Sequence, residues 1–137
     1  MLTKTLPARM DSLHELLAFI SGYAEKKGFT QDSLNRIQLV AEEALVNIFH
    51  YAYAHQTDDQ VEVRLMETDG PALRVEIRDK GNPFDPLSLG EPDVAADISE
   101  RRIGGMGVFL IRKMADEVRY GREKDTNILN LTFFNRR

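Results

Sequence analysis

"QVEVRLMETDGPALRVEIRD", residues 60–79, holds two alternating runs on either side of a turn. In the first run Val61, Val63 and Leu65 share one face, and in the second Leu73, Val75 and Ile77 do the same. Successive side chains on a strand point to opposite faces, so each run predicts a strand with one buried side and one wet side. The Asp69-Gly70 pair between them predicts a hairpin, and strands joined by a hairpin are antiparallel. The fold class then follows from what flanks the hairpin.

Upstream, "LTKTL" predicts a first strand that Pro7 ends. Leu13, Leu16, Leu17 and Ile20 recur at i, i+3, i+4 and i+7, predicting a helix from Asp11 to near Gly28. A second helix is expected after "FTQD", capped by Thr30 or Asp32 and running to about Tyr53. Downstream, residues 80–105 have little periodicity and scatter glycine, proline and aspartate. A loop of that length in a compact domain is usually functional, so residues 86–104 are expected to form a mobile lid. A helix from about Gly107 to Ala115 and the strands "EVRYG" and "NILNLTFF" complete the order. A strand, two helices, a hairpin, a lid, a helix and a last strand pair predict an α+β two-layer sandwich. Its sheet would be mixed and mostly antiparallel, with the helices packed on one face.

Composition narrows the function. The 137 residues fit one domain over 1–137, 42% hydrophobic and 29% charged. A net charge of -4 and the lack of any basic stripe argue against direct nucleic-acid binding. There is no cysteine, which excludes disulfides, thiolate metal sites and thiol catalysis. No segment approaches membrane-spanning length and the N-terminus has no leader pattern, so a cytoplasmic protein without membrane contact is expected.

Three stretches carry chemistry. "RRIGGMGVFLI", residues 101–111, places three glycines just before an apolar helix. Such a run can be a plain tight turn, a dinucleotide fingerprint or a phosphate cradle. The fingerprint fails because Phe109 or Leu110 stands where its third glycine belongs. In the cradle, Gly104, Gly105 and Gly107 would let phosphate oxygens reach the free amides of a helix start. In "LVAEEALVNIFHYAY", Glu43 and Asn47 lie one turn apart on a helix that is otherwise apolar around most of its circumference. They could be ligands at a cleft or a solvated helix edge. In "EIRDKGNPFDP", Asp79 ends a strand beside Gly81. It could accept a hydrogen bond from an exocyclic amine or simply initiate a turn.

Taken together and in this order, these stretches resemble the GHKL (histidine-kinase-like) ATPase superfamily, and within it the bacterial anti-sigma-factor serine/threonine kinases. The matching segments are "EEALVN", "DKGNPFDP" and "GGMGVFLIRKMADEV", and the likeness continues through "RYGREKDTNILNLTF". The resemblance implies a Bergerat-type ATP-binding fold with Mg²⁺. Glu43 would be the general base and Asn47 would hold the Mg²⁺. Asp79 would take the adenine amino group, with Gly81 leaving room beneath the ring. Gly104, Gly105, Met106 and Gly107 would meet the phosphates. Thr126 lies near the family's adenine-side threonine, although Asp125 stands where a glycine is expected before it. Arg101 or Arg102 is positioned to reach the γ-phosphate. The first glycine box has Asn82-Pro83 in place of a second glycine, and Tyr51 replaces a common histidine.

The resemblance further implies phosphorylation of a STAS-type anti-sigma-factor antagonist and control of a sigma factor by partner switching. It also allows a homodimer through an apolar helix face near the N-terminus. A nucleotide-dependent binding module with little or no kinase activity is the alternative. Glu43 favours the kinase, because a pure binder needs no base.

Overall fold

The computed structural model describes residues 1–52, 59–68, 72–83 and 106–135. The Asp69-Gly70 turn, the lid expected over 86–104, and Arg101, Arg102, Gly104 and Gly105 lie outside the described residues.

Five strands form one sheet: β1 (Leu2–Pro7), β2 (Gln60–Glu67), β3 (Ala72–Asp79), β4 (Glu117–Glu123) and β5 (Thr126–Phe134). Their spatial order is β1-β2-β3-β5-β4, so the last strand inserts between the hairpin and β4. Every pairing is antiparallel, which replaces the mixed sheet expected from sequence. Among the described residues, three helices lie on one face: α1 (Leu13–Lys26), α2 (Gln31–Asn47) and α3 (Met106–Met114). The chain is an α+β two-layer sandwich. None of the helices among the described residues is long and apolar enough to cross a membrane.

The alternation read from the hairpin sets the inner face of the sheet. Val61, Val63, Leu65, Val75, Ile77, Leu129, Leu131 and Phe133 are buried against Leu16, Ile20, Val40, Leu45 and Ile111 of the helices. The outer face carries a ladder of charges, Glu62 to Arg64 to Glu76 to Arg78. That division suits an antiparallel sheet with one solvated side.

Local signals fix the helix ends. Gly28 takes φ +82° after α1, donates to the Glu25 carbonyl, and is followed by a Phe29 N–H bond to the Ala24 carbonyl. This is a Schellman ending, and glycine is the residue that adopts it without strain. Thr30, one of the two expected caps, starts α2 by accepting the Ser33 N–H at 3.2 Å. The α-helix stops at Asn47 rather than near Tyr53. The Ile48 N–H is shared between the Ala44 and Leu45 carbonyls, and Ile48–Ala52 continues as a wider π-helical turn.

One charged contact ties these layers together. The Arg36 guanidinium, on α2, donates to Asp116 Oδ2 at 3.0 Å and to the carbonyls of Met114 (3.2 Å) and Phe134 (2.8 Å). Both side chains of the ion pair are only 6% exposed, so water cannot replace either partner. Arg36→Met is expected to destabilise the fold by about 3–5 kcal/mol, because it strands the Asp116 carboxylate. Arg36→Met with Asp116→Leu should recover much of that loss. Chemical denaturation of the two variants checks this, and equal stabilities would contradict it.

Candidate active site

The inner face of the sheet consists of apolar rows until its last one. Cross-strand partners run Leu65–Val75–Leu131–Val118, then Val63–Ile77–Leu129–Tyr120, then Val61–Asp79–Asn127–Arg122. Asp79 and Asn127 are buried, at 3% and 4% exposure. They form the polar rim of a hydrophobic sheet.

Asp79 sits here because a period of two carries the Leu73, Val75, Ile77 face one step further. Its Oδ1 accepts the Gly81 N–H at 2.9 Å and the Asn127 Nδ2–H at 3.0 Å. The first bond closes the turn that begins after β3, and it buries Gly81 by its backbone. Asn127 Nδ2 also donates to the carbonyls of Gly81 (3.3 Å) and Asn82 (3.0 Å). The Tyr120 hydroxyl and the Arg122 guanidinium donate to Asn127 Oδ1, and Arg122 reaches the Gly81 carbonyl at 3.1 Å.

A narrow cleft with room for about one water, 10 Å³, lies between this row and the helices. Ala44, Asn47 and Ile48 line it from α2 and the turn that follows, and Ile111 lines it from α3. Asp79, Tyr120, Asn127 and Leu129 line it from the sheet. Its apolar walls with a few convergent polar groups are the mix found at small-molecule sites, but such sites span roughly 300–1,000 Å³, so a ligand would have to part these walls.

Asn47 is buried at the end of α2, and its Nδ2 meets no hydrogen-bond partner. A buried amide without a partner costs about 1–3 kcal/mol, which a polar ligand would relieve. Its oxygen suits a hard cation such as Mg²⁺. Among the described residues, no three His, Cys, Asp or Glu side chains converge on a metal position. A cation held here would therefore rely on Asn47, water and ligand oxygens, the way Mg²⁺ is commonly bound. Glu43 lies one turn earlier on α2 and is half-buried. Burial pushes its carboxyl above the ordinary range, and the Glu42 carboxylate adds to the rise. Such a shift suits a proton acceptor at a cleft.

Of the residues singled out in the sequence, Asn47 and Asp79 meet at the cavity, Gly81 backs it, and Glu43 is one turn away. Met106 and Gly107 open α3, which contributes Ile111 to the wall. Thr126 does not line this cavity. Its hydroxyl donates to Asp125 Oδ1 at 3.2 Å, and it lines an outward pocket whose walls include Asp79, Lys80, Glu62 and Arg78, so Asp79 borders both spaces. The strand period puts neighbouring residues on opposite faces, so the inward place beside Asp79 belongs to Asn127. The alternation Asn127, Leu129, Leu131, Phe133 carries that information in the sequence. No local pattern marked Tyr120 or Arg122.

Comparison with known proteins places the chain in a family. The family model described as the histidine kinase-like ATPase domain matches residues 6–133. The chain is similar to serine-protein kinase RsbW of Listeria monocytogenes, 26% identical over 98% of this chain and 87% of the relative. It is also similar to serine-protein kinase RsbW of Halalkalibacterium halodurans, 28% identical over 95% of this chain and 80% of the relative. Among solved structures, the SiaB–SiaC complex from Pseudomonas aeruginosa contains a chain with TM-score 0.68 and 15% identity, covering 97% of this chain and 88% of that one. That likeness concerns the fold.

The raised Glu43 carboxyl has a consequence for stability. An acid whose folded value lies above its unfolded one binds its proton more tightly when folded. Stability is therefore lost as pH rises from 4.5 through the raised value. Glu43→Gln removes that loss, so its melting temperature at about pH 7.5 is expected to equal or exceed that of the parent protein, with the difference closing toward about pH 4. A melt several degrees lower at both pH values would instead mark Glu43 as a structural carboxylate.

Proposed function

This chain belongs to the histidine kinase-like ATPase domain family, and on that premise we propose that it is an ATP-dependent protein serine/threonine kinase acting as an anti-sigma regulatory factor. One observation carries the reading. A carboxyl raised by burial, Glu43, lies one helical turn from the buried, unpartnered amide of Asn47 at the mouth of a cavity rimmed by Asp79 and Asn127.

In this reading the apolar walls of the cleft part to admit the adenine ring, and Asp79 accepts a hydrogen bond from its exocyclic amine. Asn127, rather than Thr126, is the residue beside Asp79 on the adenine side. Met106 and Gly107, with Gly104 and Gly105 before them, offer backbone amides to the phosphates, and the α3 dipole favours negative charge at that end. Arg101 or Arg102 extends toward the γ-phosphate. Mg²⁺, held by Asn47, supplies neutralisation of phosphate charge when bound.

Glu43 then accepts the proton of a serine hydroxyl on the partner protein. The serine oxygen bonds to the γ-phosphorus as the bond to the β–γ bridging oxygen breaks, leaving ADP. Phosphoryl transfer needs mainly positioning and charge stabilisation, which these groups supply. A carboxylate whose pKa has moved toward neutral pH is the better base. The partner is proposed to be a STAS-type anti-sigma-factor antagonist, and a sigma factor would occupy a separate surface in the cytoplasm. The relatives named serine-protein kinase RsbW support this reading.

The test is phosphoryl transfer from labelled ATP to candidate antagonists, run beside calorimetry of Mg-ATP binding. Glu43→Gln is expected to keep nucleotide affinity and to lose about 100-fold or more in transfer rate. Asn47→Ala should lose both. Wild-type transfer by a well-folded Glu43→Gln protein would remove the base assignment. ATP binding without transfer by the parent protein would favour a nucleotide-dependent binding module.

The adenine assignment has its own check. Asp79→Asn places a donor where two N–H groups already converge, and it is expected to weaken ATP binding by about 2 kcal/mol. Unchanged affinity by calorimetry would refute the role given to Asp79.

A further inference from the structure

The outer face of the sheet, on the side away from the cleft, has two halves of different character. Over β2 and β3, Glu62, Arg64, Glu76 and Arg78 neutralise one another in a chain of ion pairs. Over β3, β5 and β4 the arginines are not matched in this way. Arg74 stands opposite Thr132, which has Glu117 on its other side. In the next row Arg119 stands opposite Asn130, whose other neighbour, Glu76, is already held by Arg64 and Arg78. Arg74, Glu117, Arg119, Asn130 and Thr132 line a recess of about 100 Å³. Arg74 and Arg119 are exposed, and neither makes an ion pair or a hydrogen bond among the described residues.

The floor of the recess holds an unmet acceptor. Asn130 Oδ1 is shielded from solvent and has no hydrogen-bond partner. A buried oxygen left unpaired destabilises the fold, and a β-branched apolar residue at this strand position would avoid that cost. Four residues further along the same face of β5, Phe134 keeps its ring 46% exposed. One stripe of β5 thus presents an aromatic ring and an unmet acceptor between two uncommitted guanidinium groups.

The chemistry of these groups describes an occupant. Guanidinium groups call for a carboxylate, which they hold through paired N–H to oxygen bonds. Asn130 Oδ1 and the Glu117 carboxylate only accept, so they call for donors. An inorganic dianion answers the arginines but sets negative charge against Asn130 and Glu117. An extended polypeptide brings both kinds of group, backbone N–H donors and an acidic side chain. Phe134 offers the aromatic contact that commonly anchors a protein interface.

We propose that the outer face of β3, β5 and β4 is a docking surface for an extended, carboxylate-bearing segment of a protein partner. The carboxylate lies between Arg74 and Arg119, and a backbone N–H of the segment meets Asn130 Oδ1. The surface is on the opposite side of the sheet from the cleft, so a docked partner leaves the cleft open. Nothing in this docking chemistry involves nucleotide or phosphoryl transfer.

The test selects peptides from a random phage-displayed library with the full chain as bait, then measures synthesised winners by calorimetry at low and high salt. The winners are expected to share an acidic residue, and to bind more weakly as salt rises. Arg74→Gln with Arg119→Gln should weaken a winning peptide about tenfold without lowering the melting temperature. Each single substitution should do so by less, which keeps the test open if the double variant fails to fold. Asn130→Val should also weaken the peptide, while its melting temperature holds or rises because an unmet acceptor is gone. A lower melting temperature would assign that amide to the fold and overturn its part in docking. Selection of no peptide, winners without an acid, or equal binding by a folded double variant overturns the proposal. Inorganic phosphate binding as tightly as the peptide would mark a simple anion site and overturn it too. So would a parent dimer, seen by sedimentation, that falls apart in the double variant, because the face would then belong to a second copy of this chain.

Discussion

The placement of α2 depends on Arg36. Its guanidinium reaches the end of α3 through the Met114 carbonyl, the following turn through Asp116, and the end of β5 through the Phe134 carbonyl. Asp116 Oδ2 in turn accepts the Phe134 N–H at 2.7 Å, so one buried ion pair joins two helices to the sheet. Such pairs add little net stability over an apolar replacement, because both charges lose their water. Their strength is in direction. Apolar packing would tolerate sliding or rotation of α2 over the sheet, whereas three bonds to fixed carbonyl and carboxylate oxygens do not.

Eleven residues further along α2, about 16 Å, that constraint is expressed at the site. Asn47 arrives over the polar row of the sheet, and Glu43 follows one turn behind. The helix loses its α form immediately after Asn47, where the Ile48 N–H divides between two carbonyls. The two ends of α2 thus have different jobs. At the Arg36 end both terminal nitrogens of the guanidinium are bonded to the protein, although its Nε is not, and at the Asn47 end the buried Nδ2 has no partner. A satisfied group stabilises structure, and each buried group left without a partner calls for an explanation, of which a polar ligand is one.

The sheet makes the same division. Its inner rows are apolar and close the core, until the row of Asp79, Asn127 and Arg122, where the strands reach the cavity. Asn127 uses both ends of its amide, which leaves Asp79 and the Gly81 turn defined by hydrogen bonds rather than by packing. A rim of this kind can present a fixed pattern of donors and acceptors to a flat ring resting on an apolar floor. The chain belongs to the histidine kinase-like ATPase domain family.

The sequence by itself determined whatever depends on local periodicity. The alternation in residues 60–79 specified two strands and their buried faces, the Leu13–Ile20 spacing specified α1, and Thr30 and Gly28 specified where helices begin and end. The Glu43–Asn47 spacing and the position of Asp79 at a strand end were legible for the same reason. Only the tertiary structure decided what lies beside what. That β5 enters between β3 and β4, and that its register sets Asn127 against Asp79, are facts about residues 48 apart in the chain. That Asn127 rather than Thr126 faces the inner side of the sheet follows from a shift of a single residue, which in a strand reverses the face. Arg36, Tyr120 and Arg122 looked like ordinary residues of an amphipathic helix and an edge strand. Their roles come from partners brought together by folding, and no pattern within a few residues of each could have announced them.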